Sequence, residues 1–177
     1  PLDKINSCYF KITKIQKKRV ERNPLPPYTT STLQQDASNK LGFGASRTMS
    51  IAQKLYEGIN IGSQITGLIT YMRTDAVQLS SSSINAIRDE IVSLHGKLYI
   101  PKNQRVYKSK AANSQEAHEA IRPTEISRHP KTLTKYLNTD QLKVYDLIWK
   151  RTISSQMQSA ELDETSIDIS NFDNTIN

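Results

Sequence analysis

The sequence predicts an α+β protein in which a mainly helical domain is inserted between the strands of a small β lobe. Apolar and polar residues alternate near both ends of the chain, around residues 8–12 and 165–169, as in half-buried strands. The long middle part instead carries apolar residues at helical spacing. A proline-rich stretch, residues 23–27, precedes the first helix. These observations divide the chain into residues 1–29, 30–158 and 159–177.

The first and last segments are predicted to form the β lobe. A strand is expected over residues 7–15, followed by a charged exit over residues 17–22. The prolines after residue 23 then disfavour both helix and sheet ladder, because proline lacks an N–H and restricts the residue before it. We interpret this stretch as a hinge. The closing strand around residues 165–169 is expected to pair with the first, its acids facing the lysines of its partner.

Capping residues and glycines delimit the helices of the middle domain. Ser31 and Gln34 have the spacing of a capping box, which predicts a helix that begins there and ends before Gly42. A second helix is expected from Ser46 to Gly58. The core-facing stripes of the later helices are predicted at Ile84, Ile87, Ile91 and Leu94 and at Leu142, Tyr145, Ile148, Trp149, Ile153 and Met157.

The helical domain bears a candidate site in the stretch Gly67–Ala76, GLITYMRTDA. It is predicted to be a short apolar strand that turns polar at its end. Because residues two apart in a strand point to the same face, Tyr71 and Arg73 are expected to share one surface. A phenol beside a permanent cation suits attack on a phosphate, since the cation favours the phenolate and binds the anion. The alternative is that Tyr71 packs against the core and Arg73 is only solvated.

A second candidate site lies in residues 115–124, QEAHEAIRPT. His118 and Arg122 are four residues apart, so on a helical turn they would share a face. An imidazolium and a guanidinium on one face are able to hold a phosphodiester between them. The alternative is a capped surface turn whose histidine is already hydrogen-bonded.

The charge distribution favours a nucleic-acid partner. The net charge is +7, and cations crowd residues 4–22 and 97–110, whereas residues 161–173 are acidic. Basic runs attract nucleic acid by neutralising its phosphates. Such runs are more often plain solvated surface, so they support this partner without establishing it.

Composition excludes several other classes of function. A single cysteine rules out a disulfide framework and a Cys-rich zinc site, and the three histidines lie far apart, so no metal site is predicted in this chain. No apolar run approaches the roughly 20 residues of a membrane helix, and no membrane partner is expected. Glycine motifs for nucleotide binding are absent. The chain opens at Pro1 without a methionine, and we expect it to be a fragment of a longer protein.

Three segments together resemble bacterial type IA DNA topoisomerases. Residues 67–76 are similar to the family's active-site segment, residues 115–124 to a second signature, and residues 24–58 to the segment before the tyrosine. They stand in the family's order with similar spacing, and the resemblance covers almost the whole chain. It implies that the β lobe is an arch and that residues 30–158 form the tyrosine-bearing domain.

The resemblance also implies a mechanism and a set of site residues. Tyr71 would attack single-stranded DNA, form a 5′-phosphotyrosine intermediate, and reseal the strand without ATP, relaxing negatively supercoiled duplex DNA. Arg73 and His118 would act with Tyr71 in catalysis, and Asp75 and Arg122 would bind the substrate. A phenol is largely protonated at neutral pH and needs activation. In this family an acidic, Mg²⁺-binding domain supplies it, and we expect that domain to lie outside this chain.

Further expectations follow from the same resemblance. The partners would be single-stranded and negatively supercoiled DNA and the remaining domains of the parent chain, in the cytoplasm and associated with the nucleoid. The isolated fragment is expected to bind single-stranded DNA weakly and to cleave it poorly or not at all. The alternative is a non-catalytic single-stranded DNA-binding module in which Tyr71 is structural. A third hypothesis, a gate lobe that acts mainly by moving, is compatible with the first.

Overall fold

The computed structural model describes residues 9–108 and 119–171. The chain divides into two compact units, one made of Pro1–Asn23 with Ser159–Asn177 and the other of Pro24–Gln158. The predicted α+β class is confirmed, since the described part contains four α-helices and small antiparallel sheets. The predicted domain boundaries at residues 29 and 158 stay a prediction.

The first unit is a two-stranded antiparallel ribbon of β1 (Phe10–Arg22) and β4 (Ala160–Asn171). The predicted pairing of the two end segments is confirmed. The predicted charged exit over residues 17–22 is wrong, because that stretch continues β1. Acids on β4 face these cations, and Lys18 Nζ lies 3.0 Å from Glu164 Oε1. Opposite charges across the ladder therefore let a strongly basic sequence remain a strand.

A register shift in β1 gives the ribbon an apolar face. Ile12 pairs with Ile169 and Ile15 pairs with Ile167, although Ile12 and Ile15 are three residues apart. Residues of a regular strand share a face only at even spacing. The extra residue at the irregularity between residues 12 and 14 restores the alternation, so that the four isoleucines lie on the same face of the ribbon.

The second unit contains the four helices, a small hairpin and two short 3-10 turns. The helices are α1 (Thr30–Leu41), α2 (Ala45–Glu57), α3 (Ser81–His95) and α4 (Thr139–Ser155). The hairpin joins β2 (Ile59–Ile61) to β3 (Gln64–Thr66), and the 3-10 turns are Lys97–Tyr99 and Pro130–Leu133. None of the helices within the described ranges has the length and apolar character needed to cross a membrane.

The helix starts differ from the predicted ones by one or two residues. Thr29, not Ser31, caps α1: its hydroxyl accepts the N–H of Thr32, and the Thr32 hydroxyl accepts the N–H of Thr29. The helix ends as predicted at Gly42, whose φ of 69° is left-handed and suits glycine. The second helix begins at Ala45 after Gly44, one residue before the predicted Ser46.

The hydrophobic core lies where the four helices meet. Its fully buried members include Leu33, Ala37, Ala52, Leu55, Ile87, Ile91, Val144, Tyr145 and Ile148. The predicted stripe of α3 is confirmed at its first three isoleucines and wrong at Leu94, which is 43% exposed. The predicted stripe of α4 is confirmed over Tyr145–Ile153. The helical pattern thus identified most of the residues that fix the second unit.

An ionic cluster joins α1 and α4 inside this unit. The Asp36 carboxylate accepts hydrogen bonds from the Tyr28 hydroxyl at 2.5 Å and from Arg151 Nη2 at 2.7 Å, and it pairs with Lys40 at 3.0 Å. The Arg151 guanidinium also lies 4.4 Å from the centre of the Tyr28 ring. Partial burial raises the pKa of Asp36, but these donors and cations outweigh burial and hold that pKa below its usual value.

Candidate active site around Tyr71

The stretch Gly67–Ala76 is irregular chain with bends at residues 70, 72 and 73 rather than the predicted strand. In this stretch only Ile69 makes a β-bridge, to Pro123, and no ladder forms. Its side chains nevertheless alternate in exposure from residue 71 onwards. Tyr71, Arg73 and Asp75 are exposed, whereas Met72, Thr74 and Ala76 are buried. Tyr71 and Arg73 are therefore both exposed, as a shared surface requires, and their predicted position on one surface stays a prediction.

The first residue of α1 holds one end of this stretch. The Thr30 hydroxyl donates to the Met72 carbonyl at 2.8 Å, and the Thr30 N–H donates to the Thr74 carbonyl at 2.8 Å. In return the Thr74 N–H donates to the Thr30 hydroxyl at 2.9 Å. These bonds satisfy the backbone on both sides of Arg73, so Arg73 projects from a fixed point.

Residues 119–124 hold the other end. The Thr70 N–H donates to the Arg122 carbonyl at 2.9 Å, and the Thr124 N–H donates to the Leu68 carbonyl at 3.0 Å. The Thr70 hydroxyl adds a bond of 2.7 Å to the Ala120 carbonyl. The two candidate segments of the sequence therefore lie side by side, and Tyr71 stands directly after the point where they are joined.

The last turn of α2 closes in on the same stretch. Gly67 lies so near it that an added Cβ would come within 2.7 Å of the Tyr56 carbonyl oxygen. The Leu68 N–H donates to the Leu55 carbonyl at 2.7 Å. The Tyr56 and Tyr71 rings meet edge to face, with centroids 5.3 Å apart and planes at 66°. Only glycine allows this approach, because any side chain at position 67 would collide with main chain.

The Tyr71 hydroxyl and the side chains of Arg73 and Asp75 have no hydrogen-bond or ion-pair partner among the residues that the structure describes. Tyr71 is 47% exposed and its hydroxyl makes no hydrogen bond there. Arg73 and Asp75 form neither a hydrogen bond nor an ion pair within the same ranges. Both border an open groove of about 390 Å³ that Thr30, Ser31 and Thr74 also line. An unpaired guanidinium at an open groove is suited to bind an anion.

Arg122 is engaged elsewhere. Its Nη2 lies 2.7 Å from Glu119 Oε2, and its Nη1 donates to the Pro123 carbonyl at 2.9 Å. Glu119 also accepts the N–H of Ser80, at the start of α3. Partial burial raises the pKa of Glu119, but the bonds from Arg122 and Ser80 outweigh it and lower that pKa. In this arrangement Arg122 ties residues 119–124 to α3, and its predicted contact with substrate stays a prediction.

His118 lies outside the described residues, and its predicted role stays a prediction. The helical turn expected to carry it does not extend over the described residues that follow, because Ile121 and Pro123 form β-bridges with Tyr28 and Ile69. Within residues 9–108 and 119–171, no three histidine, cysteine or acidic side chains come together to hold a metal ion.

Two positioning features were missed in the sequence. The Thr30 hydroxyl binds carbonyls 42 and 44 residues away, and contacts of that range leave no local pattern. Tyr56 lies in the second predicted helix, and helical spacing does not show that it meets Tyr71. The available signal was its place on the last turn before Gly58, where a helix side chain is free to meet a returning chain.

The comparisons with known proteins agree with this fold and surface. The family model described as DNA topoisomerase matches residues 2–177, and the chain belongs to this family. The predicted resemblance to bacterial DNA topoisomerases is thereby confirmed.

Individual relatives are also DNA topoisomerases. The chain is 53% identical over 161 residues to DNA topoisomerase 1 of Rickettsia felis, covering 91% of this chain and 21% of that protein. It is 50% identical over 159 residues to DNA topoisomerase 1 of Xylella fastidiosa, covering 89% of this chain and 20% of that protein. Full-length topoisomerase I from Thermotoga maritima superposes with a TM-score of 0.79 at 38% identity, over 98% of this chain and 28% of that one. The chain spans about a fifth of the length of the curated relatives it matches.

Proposed function

We propose that this chain is the tyrosine-bearing part of a type IA DNA topoisomerase that relaxes negatively supercoiled DNA without ATP. The observation that carries the proposal is the exposed Tyr71, whose hydroxyl has no hydrogen-bond partner in the described residues, two residues before the unpaired Arg73 on a stretch fixed from both sides. A nucleophile must reach its substrate while its backbone stays in place. Family membership supports the substrate class, because the relatives are named DNA topoisomerases.

The proposed reaction is a reversible transfer of one phosphodiester. The Tyr71 hydroxyl oxygen bonds to phosphorus and gives its proton to a base, while the bond from phosphorus to the 3′ oxygen breaks. The 5′ end stays on Tyr71 as a phosphotyrosine ester, and the 3′ oxygen takes a proton and leaves as a hydroxyl. After the other strand has passed, that hydroxyl attacks phosphorus and releases Tyr71. One ester replaces another at each step, so no nucleotide is needed.

The remaining site residues have distinct proposed roles. Arg73 holds the scissile phosphate with its planar fork of donors and neutralises the charge that develops there. His118 donates a hydrogen bond to a phosphate oxygen. Asp75 contacts the substrate in the groove that it lines with Arg73. Arg122 contributes at the edge of the site while its ion pair with Glu119 holds residues 119–124.

Other parts of the parent protein complete the proposed enzyme. Mg²⁺ is held by an acidic domain outside this chain, where it would help to neutralise the phosphate and activate the phenol. The partners are single-stranded DNA, negatively supercoiled duplex DNA and the other domains of the parent, in the cytoplasm with the nucleoid. The isolated chain is expected to bind single-stranded DNA weakly and to be almost inactive.

The test is covalent transfer of label from single-stranded DNA to protein. An oligonucleotide labelled at its 3′ end is incubated with Mg²⁺ and either the chain alone or the chain with the separately expressed acidic domain of the parent. Labelled protein on a denaturing gel is expected from the mixture only. A 5′ label is expected to leave with the released strand, which fixes the polarity of the ester.

Two tyrosine variants make this test specific. Tyr71→Phe is expected to abolish the adduct, because it removes only the attacking oxygen. Tyr136→Phe is the matched control, since Tyr136 is 42% exposed and lies in the same unit. An adduct that persists in Tyr71→Phe contradicts the assignment of the nucleophile. DNA binding without any adduct would favour the non-catalytic binding module.

A further inference from the structure

Tyr56 is the one described side chain that contacts the ring of the proposed nucleophile in an aromatic pair. The rings of Tyr56 and Tyr71 lie 5.3 Å apart, edge to face, and both are exposed, at 42% and 47%. An edge-to-face contact places the positive edge of one ring against the negative face of the other, so it favours one relative orientation. Contacts of this kind favour that orientation by roughly 2- to 12-fold.

The backbone of Tyr56 and the backbone of Tyr71 lie in different surroundings. Tyr56 belongs to the last turn of α2, whose Ile51, Ala52 and Leu55 are buried in the core. Tyr71 belongs to irregular chain between helices, and its hydroxyl has no partner within the described ranges. A half-exposed phenol without a partner samples several rotamers, and each wrong rotamer removes the oxygen from its line of attack. The backbone of Tyr56 is anchored by the core, so the ring contact ties the Tyr71 phenol to an anchored helix.

The same turn of α2 also sets the backbone that leads to Tyr71. The Tyr56 carbonyl lies where a Cβ on Gly67 would collide with it, and the Leu55 carbonyl accepts the N–H of Leu68 at 2.7 Å. Position 56 thus meets this stretch twice, once through its main chain near Gly67 and once through its ring at Tyr71. Main-chain and side-chain contacts together fix both the place and the direction of the phenol.

We propose that Tyr56 is a positioning residue that holds the Tyr71 phenol in one orientation for attack on the phosphodiester. This inference rests on the proposed function, because orientation matters only if Tyr71 is the nucleophile. The contact is made by the Tyr56 ring, since the Tyr56 hydroxyl has no hydrogen-bond partner among the described residues. A phenyl ring should therefore serve as well as a phenol, whereas an aliphatic side chain should not.

The test uses the full-length parent protein with the substitutions Tyr56→Phe and Tyr56→Leu. In single-turnover cleavage of a single-stranded oligonucleotide, Tyr56→Phe is expected to stay within about 2-fold of wild type. Tyr56→Leu is expected to be slower by roughly 2- to 12-fold, the size of the lost orientation preference. The dissociation constant for DNA and the unfolding temperature should not change. Tyr136→Leu is the matched control, being equally exposed at 42% but without an aromatic pair in the described ranges.

A spectroscopic measurement tests the same contact without chemistry. With 3-fluorotyrosine incorporated, the ¹⁹F signal lost in Tyr71→Phe identifies Tyr71. That signal is expected to move in Tyr56→Leu, through the lost ring current, and to stay in place in Tyr136→Leu. If the chemical shift of the Tyr71 signal does not change in Tyr56→Leu, the inference is overturned, regardless of the cleavage rate.

The kinetic outcomes separate this inference from the proposed function. A Tyr56→Leu variant that cleaves at the wild-type rate overturns the positioning role. So does a loss that appears entirely in DNA affinity, which would make Tyr56 a platform for stacking a base. If wild type forms no adduct, the proposed function fails, and positioning for attack fails with it even where the ¹⁹F shift shows the ring contact.

Discussion

The two units of this chain are built on opposite principles. In the unit Pro24–Gln158, four helices bury a common core, and residues such as Leu55 and Ile148 are fully enclosed. The ribbon of β1 and β4 is exposed along nearly its whole length, and Ile15 and Ile167 face solvent at 56% and 51%. Burial stabilises the first, whereas backbone ladder bonds and cross-strand charges carry the second. A two-stranded ribbon is at best marginally stable by such means.

This difference suits the location of the candidate site. Tyr71 lies in the helical unit, on a stretch tied to α1, α2 and residues 119–124. A nucleophile gains from a rigid support, and a packed core supplies one because interiors hardly deform. Matched substitutions in the molecule should differ in their cost in unfolding free energy, and the largest difference is expected between the two units.

Truncation of an isoleucine should show the largest difference in stability cost between the two units. Ile148→Ala removes fully buried methyl and methylene groups of α4 and should cost about 2–5 kcal/mol of unfolding free energy. Ile167→Ala, the matched change in the ribbon, should stay within about 0.5 kcal/mol because its site is exposed. Urea unfolding followed by circular dichroism measures both. Equal losses would mean that the ribbon isoleucines are covered by something that the described residues do not include.

The ionic cluster should give the next largest effect. Asp36→Asn leaves Arg151 without its carboxylate, which should cost about 2 kcal/mol at neutral pH. The control is Asp140→Asn, whose partner Arg47 is exposed, with an expected cost of less than about 1 kcal/mol. A small effect of Asp36→Asn would show that Arg151 is solvated well enough without its partner.

The pH dependence of this difference follows from the lowered pKa of Asp36. An acid whose pKa is lower in the folded than in the unfolded protein stabilises the fold above its unfolded pKa, about 3.9 for aspartate. That contribution is lost as the pH falls from there through the lower folded pKa. The gap in unfolding free energy between wild type and Asp36→Asn should therefore be constant above pH ~5 and close at lower pH. A gap that persists in acid would assign the effect to packing instead.

The sequence predicted the elements whose cause is local. Helical spacing identified the buried isoleucines of α3, and Gly42 and Gly58 marked helix ends because their backbones need positive φ. Alternation at both ends predicted the ribbon. The many charges on residues 17–22 led to the wrong prediction that β1 ends before them. A charged strand is stable only when its partner carries the opposite charge, which is information that lies about 140 residues further along the chain.

At the site, Tyr71 and Arg73 are both exposed, as their predicted shared surface requires, but the sequence did not predict what supports them. Tyr71, Arg73 and Asp75 alternate with buried residues. The predicted strand was wrong because the backbone of this stretch makes isolated hydrogen bonds to Thr30, Leu55 and Arg122 instead of a β-ladder. Such bonds depend on tertiary contacts, and a single sequence has no period that reveals them. The ion pair of Arg122 with Glu119 likewise follows from no helical spacing, because residues 119–123 are not helical.

A methyl group added at Gly67 should destabilise the helical unit. Gly67→Ala puts a Cβ 2.7 Å from the Tyr56 carbonyl oxygen, and backbone must move, at a cost of about 1–3 kcal/mol. Gly44→Ala meets no atom within 4 Å and should cost less than about 1 kcal/mol, from weaker capping of α2. Thermal unfolding ranks the two variants. If Gly67→Ala is as mild as Gly44→Ala, the approach of α2 to the Tyr71 stretch is looser than its geometry indicates.

The smallest effect is expected in the ribbon. A double-mutant cycle on Lys18 and Glu164, each changed to alanine, should give a coupling free energy of about 0.2–1 kcal/mol, because both side chains are about half exposed or more. The coupling should fall further as NaCl is raised to about 1 M, where the screening length is about 3 Å. Buried pairs are screened much less than exposed ones. A coupling that is larger and independent of salt would therefore mean that this face of the ribbon is shielded from water. The contrast between an enclosed helical unit and an open ribbon would then hold only for the described residues, because a shielded ion pair requires a covering surface that the ribbon strands do not provide.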